Sequence, residues 1–309
     1  MVLFLIRRTT QMIFVVFCVV TLVFVLLRIA GGDPARLMNA ADAPEEVIAA
    51  TRERLGLDRP LGVQYLYFLR SIVVGDFGRS FHGGYEVRDV VLAALPNTIA
   101  LAVVTVVVST AFALLLGIGS ALFRGSLLDR AVQVYVSLAQ STPSFWLAVM
   151  LVLVFAVNLS WLPAIDFTGP ISFVLPVTTL MVALTPILIR TIRQSFVETL
   201  ERDYIRAARA RGISNTRILL LHTLKVASLP LITLVGLQSG MILAGSYVVE
   251  VIFNWPGIGK LAVDALASRN YPMVQGSVLI AAVAFVVVNF VVDILYSVLD
   301  PRIRLGANA

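Results

Sequence analysis

The sequence predicts an all-α integral membrane protein with six transmembrane helices, and three observations predict it. Of 309 residues, 59% are hydrophobic and only 14% charged, against about 25% charged in an ordinary soluble domain. Apolar runs of the length that crosses a bilayer, about 20 residues, occur at 9–30, 97–122, 134–158, 171–191, 228–252 and 274–298. Between them Lys and Arg collect on one side of the expected membrane, as the positive-inside rule describes. The single cysteine, Cys18, excludes an internal disulfide framework. His82 and His222 lie far apart, which disfavours a histidine-based metal site. A net charge of +6 suggests nucleic acid only until the basic residues are counted by side.

The first run follows Arg7 and Arg8, which places the N-terminus in the cytoplasm. It reads as a retained anchor at 1–30 rather than a cleaved signal peptide, because it exceeds a typical signal core and Arg28 interrupts the cleavage side. Residues 31–96 then form an external, periplasmic-side helical loop, the one sizeable soluble part. In it, "DAPEEVIAATRERLG" reads as a helix with Asp42 as N-cap, Pro44 in the first turn, Glu45 at capping-box spacing and Gly56 as its stop. Val47, Ile48, Thr51 and Leu55 share one face. "VQYLYFLRSIVVG" reads as a second helix ended by Gly75, with Tyr65, Tyr67 and Phe68 expected at the membrane interface.

Residues 97–309 hold the remaining five spans. Pro143, Pro176, Pro186 and Pro230 fall in or beside spans, where neighbouring helices re-satisfy the freed backbone groups. The second–third loop carries Arg124 and Arg130, and the tail carries Arg302 and Arg304. The fourth–fifth loop carries Arg190, Arg193, Arg202, Arg206, Arg209, Arg211, Arg217 and Lys225. Inserting these would cost about 3 kcal/mol each near the bilayer centre, so the loop is expected in the cytoplasm. The external short loops carry only Lys260 and Arg269. Both termini are therefore expected in the cytoplasm of a multi-pass protein.

Within the basic loop, residues 198–226 are distinctive. "DYIRAARARG" predicts a short helix from Leu200 to Arg211 with Gly212 just past its end, and Ser214 as N-cap of a second helix running through Leu221. Ala207, Ala208 and Ala210 make the first helix smooth, and Arg206, Arg209 and Arg211 flank it. A solvated positive-inside loop would also be basic; small residues at fixed places are the additional signal. Between the last two spans, "NWPGIGKLAVDALASRNYP" predicts a short apolar helix, Ile258 to Ala267, dipping toward the membrane. Its "PGIGKL" is not a phosphate loop: Asn254 stands at the upstream glycine position and Leu261 replaces the Ser or Thr that would hold magnesium.

The 203–230 segment resembles the cytoplasmic motif of ABC-importer permeases, with Ala207, Ala208 and Gly212 at its small positions. Arg206 stands where many members have Glu, and Leu229-Pro230 comes later than in sugar permeases; both departures are those of the dipeptide/oligopeptide branch. "GGDP", "LGLDRPLGVQY", "GDFGRS", "LPNTIAL", "STPSFWLA", "EVIFNWPGIGKL", "ALASRNYPMVQG" and "DILYSVLDPRIR" look like the same branch, in order along nearly the whole chain.

The resemblance implies a type I ABC-importer permease fold in a bacterial inner membrane. It implies one of two homologous permease subunits lining a path for peptides or a related solute. An extracytoplasmic binding protein would deliver that solute. Two ATPase subunits, or one two-domain chain, would carry the ATP and magnesium, so this chain would bind no cofactor and catalyse nothing. Tyr204, Arg206, Ala207, Ala208, Arg209, Ala210 and Gly212 would form the helix that couples to an ATPase subunit. Asn254, Trp255, Pro256 and Gly257 would shape the outer gate near the binding protein. Gln238, Ser239, Met241, Ser246 and Tyr247 are candidates to line the path.

An ion-coupled secondary transporter is the alternative class, since Asp293 and Glu250 are intramembrane carboxylates. In "DILYSVLDPR" a structural Arg partner suits Asp293 better than a proton relay. An intramembrane protease fits poorly: His222 lies in the basic segment, and Asp293 has no facing aspartate within a span.

Overall fold

The computed structural model describes residues 2–29, 34–37, 39, 43–54, 56–164, 169–227 and 229–299. Its α-helices, in chain order, are α1 (Val2–Ile29), α2 (Pro34–Leu37), α3 (Glu45–Arg54), α4 (Leu61–Val74), α5 (Val87–Leu122), α6 (Leu127–Ser141) and α7 (Ser144–Leu151). There follow α8 (Val174–Leu200), α9 (Asp203–Ala210), α10 (Asn215–Arg217), α11 (Leu224–Ala227), α12 (Leu229–Ile252), α13 (Ile258–Ala267) and α14 (Tyr271–Leu299). Among the described residues, four helical stretches are long and apolar enough to cross a membrane, and a bent pair makes a fifth if it crosses once. The predicted run at 228–252 is the 24-residue helix α12. This is an all-helical membrane protein.

α1 begins at Val2 rather than 9 and α8 runs to Leu200 rather than 191, and two further spans differ more from the sequence expectation. The run expected at 97–122 begins ten residues earlier, so that α5 has 36 residues. At 1.5 Å per residue it reaches about 54 Å, well beyond a hydrocarbon core of about 30 Å. The run expected at 134–158 is not one rod: the helices at Leu127–Ser141 and Ser144–Asn158 meet at 102°. Pro143 explains the break. It lacks an N–H and pushes the preceding residue out of the helical region, and Thr142 is extended at φ −91° and ψ 118°. Past Leu151 the chain continues as a π-helix, Val152–Asn158.

The chain forms two compact units, Met1–Thr98 with Pro256–Val287, and Ile99–Trp255 with Val288–Ala309. In the first, α1 packs on α4. Phe24 meets Tyr65 at 5.1 Å and Phe68 at 5.4 Å between ring centroids, and the Thr21 and Tyr65 hydroxyls lie 2.6 Å apart. Two of the aromatics expected at a lipid interface are thus held against the first helix. Tyr67 instead accepts a hydrogen bond from Arg59 Nη1 at 2.7 Å. Gly75 ends α4 in the left-handed region at φ 77°, with Asp76 N donating back to Ser71 O. Gly56 likewise follows α3 at φ 66°. The expected N-cap Asp42 and the apolar Leu55 lie outside the described residues.

The second unit is built around α8, which packs against α6, α7 and α12. One apolar cluster joins Leu101, Ala148, Leu175, Ile242 and Phe253, and another joins Ala113, Val136, Ile189, Ile192 and Phe196. Close approach of α5 to α8 is permitted by Gly117: a Cβ there would lie 2.8 Å from Ile192 Cβ.

Candidate functional site

The basic segment folds much as its sequence reads, with one displaced boundary. Leu200 is the last residue of α8, and Glu201 and Arg202 form the turn into a separate helix, α9. Arg202 is extended at ψ 147°, which breaks the helical run before Asp203. Ile205 is fully buried and anchors α9, which packs against a π-helical segment, Ile218–Thr223. On the outward side Tyr204, Ala207 and Arg211 are exposed and Ala208 is half-buried. These four stand at i, i+3, i+4 and i+7, so they share one face. Arg206, Arg209 and Ala210 are exposed on its flanks. Arg206 also pairs with Asp203 at 3.5 Å, fully in solvent, where such pairs contribute little. The result is a short, low-relief, basic face held from beneath by one isoleucine.

Gly212 ends this helix at φ 76°. Gly212 N donates to Arg209 O at 2.9 Å and Ile213 N to Ala208 O at 3.2 Å, the pairing of a left-handed helix stop. No neighbour would obstruct a Cβ there, so glycine is favoured by the backbone angle alone. Ser214 begins the next helical stretch by accepting from Ile218 N at 3.0 Å. That stretch passes the expected Leu221 and reaches Ala227 through the π-helical turn.

A second feature escaped the sequence reading. Asp129, at the start of α6, is 5% exposed. Its Oδ1 accepts from Arg193 Nε at 2.9 Å and from Ser120 Oγ at 2.5 Å. Its Oδ2 accepts from Arg193 Nη2 and from Gly125 N, each at 2.9 Å. Arg193, expected among the charges of a loop, lies instead on α8, half-buried, in a two-pronged pair with the buried Asp129. The one local signal was Ser126-x-x-Asp129, a helix-start spacing, in which Ser126 Oγ accepts from Asp129 N at 3.3 Å.

The turn after α12 has a different character. Asn254 takes φ 53°, and Trp255 N donates to Glu250 O at 2.7 Å. Trp255 is 3% exposed and meets Phe173 edge-on at 4.7 Å. In the other unit, Pro256 O accepts from Asn97 Nδ2, and Thr98 Oγ1 accepts from Ile258 N, each at 2.9 Å. Thr98 thereby supplies the cap that Gly257, lacking a side chain, cannot. The helix α13 spans the predicted Ile258–Ala267.

On α12, Gln238 and Ser246 are buried within their own unit. Gln238 Oε1, Ser109 Oγ and Thr110 Oγ1 are buried with no hydrogen-bond partner among the described residues, and their residues border one small cavity. Ser246 Oγ donates to Glu250 Oε1 at 3.2 Å, and Ser239 Oγ to Val235 O at 2.7 Å. Tyr247 is half-buried. The side chains of Met241 and Asp293 lie outside the described residues. Among the described residues no group of three or more His, Cys, Asp or Glu is placed to hold a metal ion.

Comparison with known proteins gives these elements a common frame. The family described as "Binding-protein-dependent transport system inner membrane component" matches residues 113–305. Its N-terminal companion, "Binding-prot-dependent transport system membrane comp, N-term", matches 1–102. The glutathione transport system permease protein GsiC of Escherichia coli (strain K12) is 38% identical over 301 residues, 97% of this chain and 98% of the relative. Its counterpart in Salmonella choleraesuis (strain SC-B67) is 37% identical over the same length and shares. A solved structure titled as inward-facing conformations of the MetNI methionine ABC transporter shares the fold at a TM-score of 0.57 and 19% identity, covering 68% of this chain and 96% of that one. The segments 1–102 and 113–305 together take in both residues 31–96 and the α9 region, so the chain belongs to the family of binding-protein-dependent inner-membrane transport components: it is a multi-pass, non-catalytic permease subunit of an ABC importer of the dipeptide/oligopeptide branch, a membership that implies ATPase and binding-protein partners.

Proposed function

We propose that this chain forms half of the translocation path for a peptide, or a related small solute, paired with a homologous permease subunit. Two ATPase subunits, or one two-domain chain, drive it, and an external binding protein delivers the solute. Kinship to permeases named for glutathione supports a short, tripeptide-sized solute. Six spans suit this reading: α1, α5, the bent pair from Leu127 to Asn158 counted once, α8, α12 and α14. Both termini then lie in the cytoplasm beside the basic segment 198–226, with 31–96 outside and 97–309 as the core.

The observation that carries the proposal is α9. Tyr204, Ala207, Ala208 and Arg211 present an even face on a helix anchored by Ile205 and aimed by the Gly212 stop. This face docks in a cleft of an ATPase subunit, with Arg206, Arg209 and Ala210 at its rim. The turn Asn254–Gly257 shapes the outer mouth near the binding protein, and Trp255 acts there by holding the turn from within. Ser239 and Tyr247, the half-buried candidates on α12, meet the solute; Gln238 and Ser246 stiffen the wall behind them, and Met241 is retained as a candidate. Gentle purification should recover the chain with a second permease and ATPase subunits. Recovery of a fully active, ATP-independent homo-oligomer would remove this reading.

A further inference from the structure

We propose that Asp129 and Arg193 form the joint through which displacement of α9 is passed to the membrane helices α5 and α6, which makes them positioning residues for the coupling of ATP hydrolysis to uptake. The proposal rests on the docking role of α9 given above.

Three features carry it. The first is saturation. The Asp129 carboxylate receives four hydrogen bonds from three elements: Ser120 on α5, Gly125 in the α5–α6 turn, and Arg193 twice from α8. Its own backbone N–H is held by Ser126, so the carboxylate and the start of α6 move together. A two-pronged guanidinium–carboxylate pair fixes angle as well as distance. A buried pair of this kind adds little net stability over apolar packing and can serve geometry instead.

The second is place. Arg193 precedes Leu200 by two helical turns, about 10 Å of rise. Only Glu201 and Arg202 then separate α8 from α9. Glu201 is itself paired with Arg124 at 2.9 Å. The end of α8 is therefore fastened twice to the same α5–α6 turn, once in a buried site and once in solvent. The third is the absence of slack. Gly117 lies against Ile192 so closely that a Cβ would have to displace it. The α5–α8 contact beside the ion pair thus resists sliding. A push on α9 that travels along α8 therefore carries the α5–α6 turn with it.

The test compares the assembled transporter carrying Asp129→Asn, Arg193→Lys, and the double change Asp129→Asn with Arg193→Gln. ATPase-subunit capture, thermal stability, ATP hydrolysis and solute uptake are measured on each. Asp129→Asn alone leaves the half-buried Arg193 guanidinium without its counter-charge and should lower stability and uptake together. The double variant removes both charges, so capture should be retained and stability largely restored. Uptake per ATP hydrolysed should nevertheless fall by at least about fivefold, the low end of an ordinary coupling effect. Arg193→Lys keeps the charge but not the two-pronged geometry, and should lower the same ratio with stability near that of the unsubstituted protein. If the double variant does not assemble, Arg193→Lys decides. A ratio unchanged in the double variant, or in Arg193→Lys in that case, overturns the proposal and leaves the pair a packing device. Ala208→Glu in the same assay addresses α9 separately: loss of capture supports its docking role. Retained capture and uptake removes that role, and the joint proposal with it.

Discussion

The turns at Gly212 and Asn254 use one backbone device for opposite ends. Each ends a helix with a residue at positive φ, 76° at Gly212 and 53° at Asn254. Each closes a backbone hydrogen bond from the following residue five positions back, Ile213 to Ala208 and Trp255 to Glu250. At Gly212 the neighbouring helix turns its small residues outward. At Asn254 the next side chain, Trp255, goes inward against Phe173. A stop that leaves a bare face is suited to receive another protein, whereas a stop that buries an indole secures its own chain. The same local geometry therefore predicts different failures: loss of a partner at the first turn, loss of stability at the second.

Trp255→Ala should have the largest effect on the molecule itself. Emptying a buried aromatic site in a packed interior costs about 3–5 kcal/mol, and Trp255 is 3% exposed. Thermal unfolding of the purified subunit in its assembly should show a clear loss. Stability unchanged by this substitution would mean that the two turns do not differ as described. Gly212→Val comes next. The steric cost of positive φ, about 1–2 kcal/mol, is too small to unfold the helices and comparable to an ordinary coupling energy of about 1–3 kcal/mol. Insertion and binding-protein recognition should survive while uptake per ATP falls, which paired hydrolysis and uptake assays would reveal. Asn254→Gly is the smallest. Glycine takes the same angle without steric cost, so unfolding and uptake should both stay close to those of the parent protein. A large loss would assign the Asn254 side chain a role beyond the turn.

Most local features were legible in the sequence because they depend on neighbours along the chain. Gly75 and Gly212 punctuate helical runs, and the limits of α13 follow from the Trp255-Pro256-Gly257 start and the Tyr271-Pro272 end. What was missed is tertiary or is a choice between two local readings. Pro143 read as a tolerated proline inside a span, yet it divides one at 102°. Arg193 read as a loop charge because the spacing of basic residues does not reveal where a helix ends. Its partner Asp129 is 64 positions away, and one sequence carries no record of that pairing. The burial of Trp255, given in the sequence only as a residue of the outer gate, was likewise not legible, since it depends on Phe173, far from it in the chain.

The divided span also bears on orientation. If the bent pair crosses once, a cysteine at Ser160 and one at Gly125 should label from opposite sides of the membrane in a Cys18→Ser background. Labelling of both from one side would make the pair re-entrant and invert everything that follows it.

The most direct test of the central claim is a photo-crosslinker placed at Ala208 of the assembled transporter, with a second at Tyr67 on α4 as the control. The account predicts that the Ala208 position captures an ATPase subunit and the Tyr67 position does not. An Ala208 crosslinker that captures no ATPase subunit, in an assembly that still hydrolyses ATP and imports its solute, would contradict it.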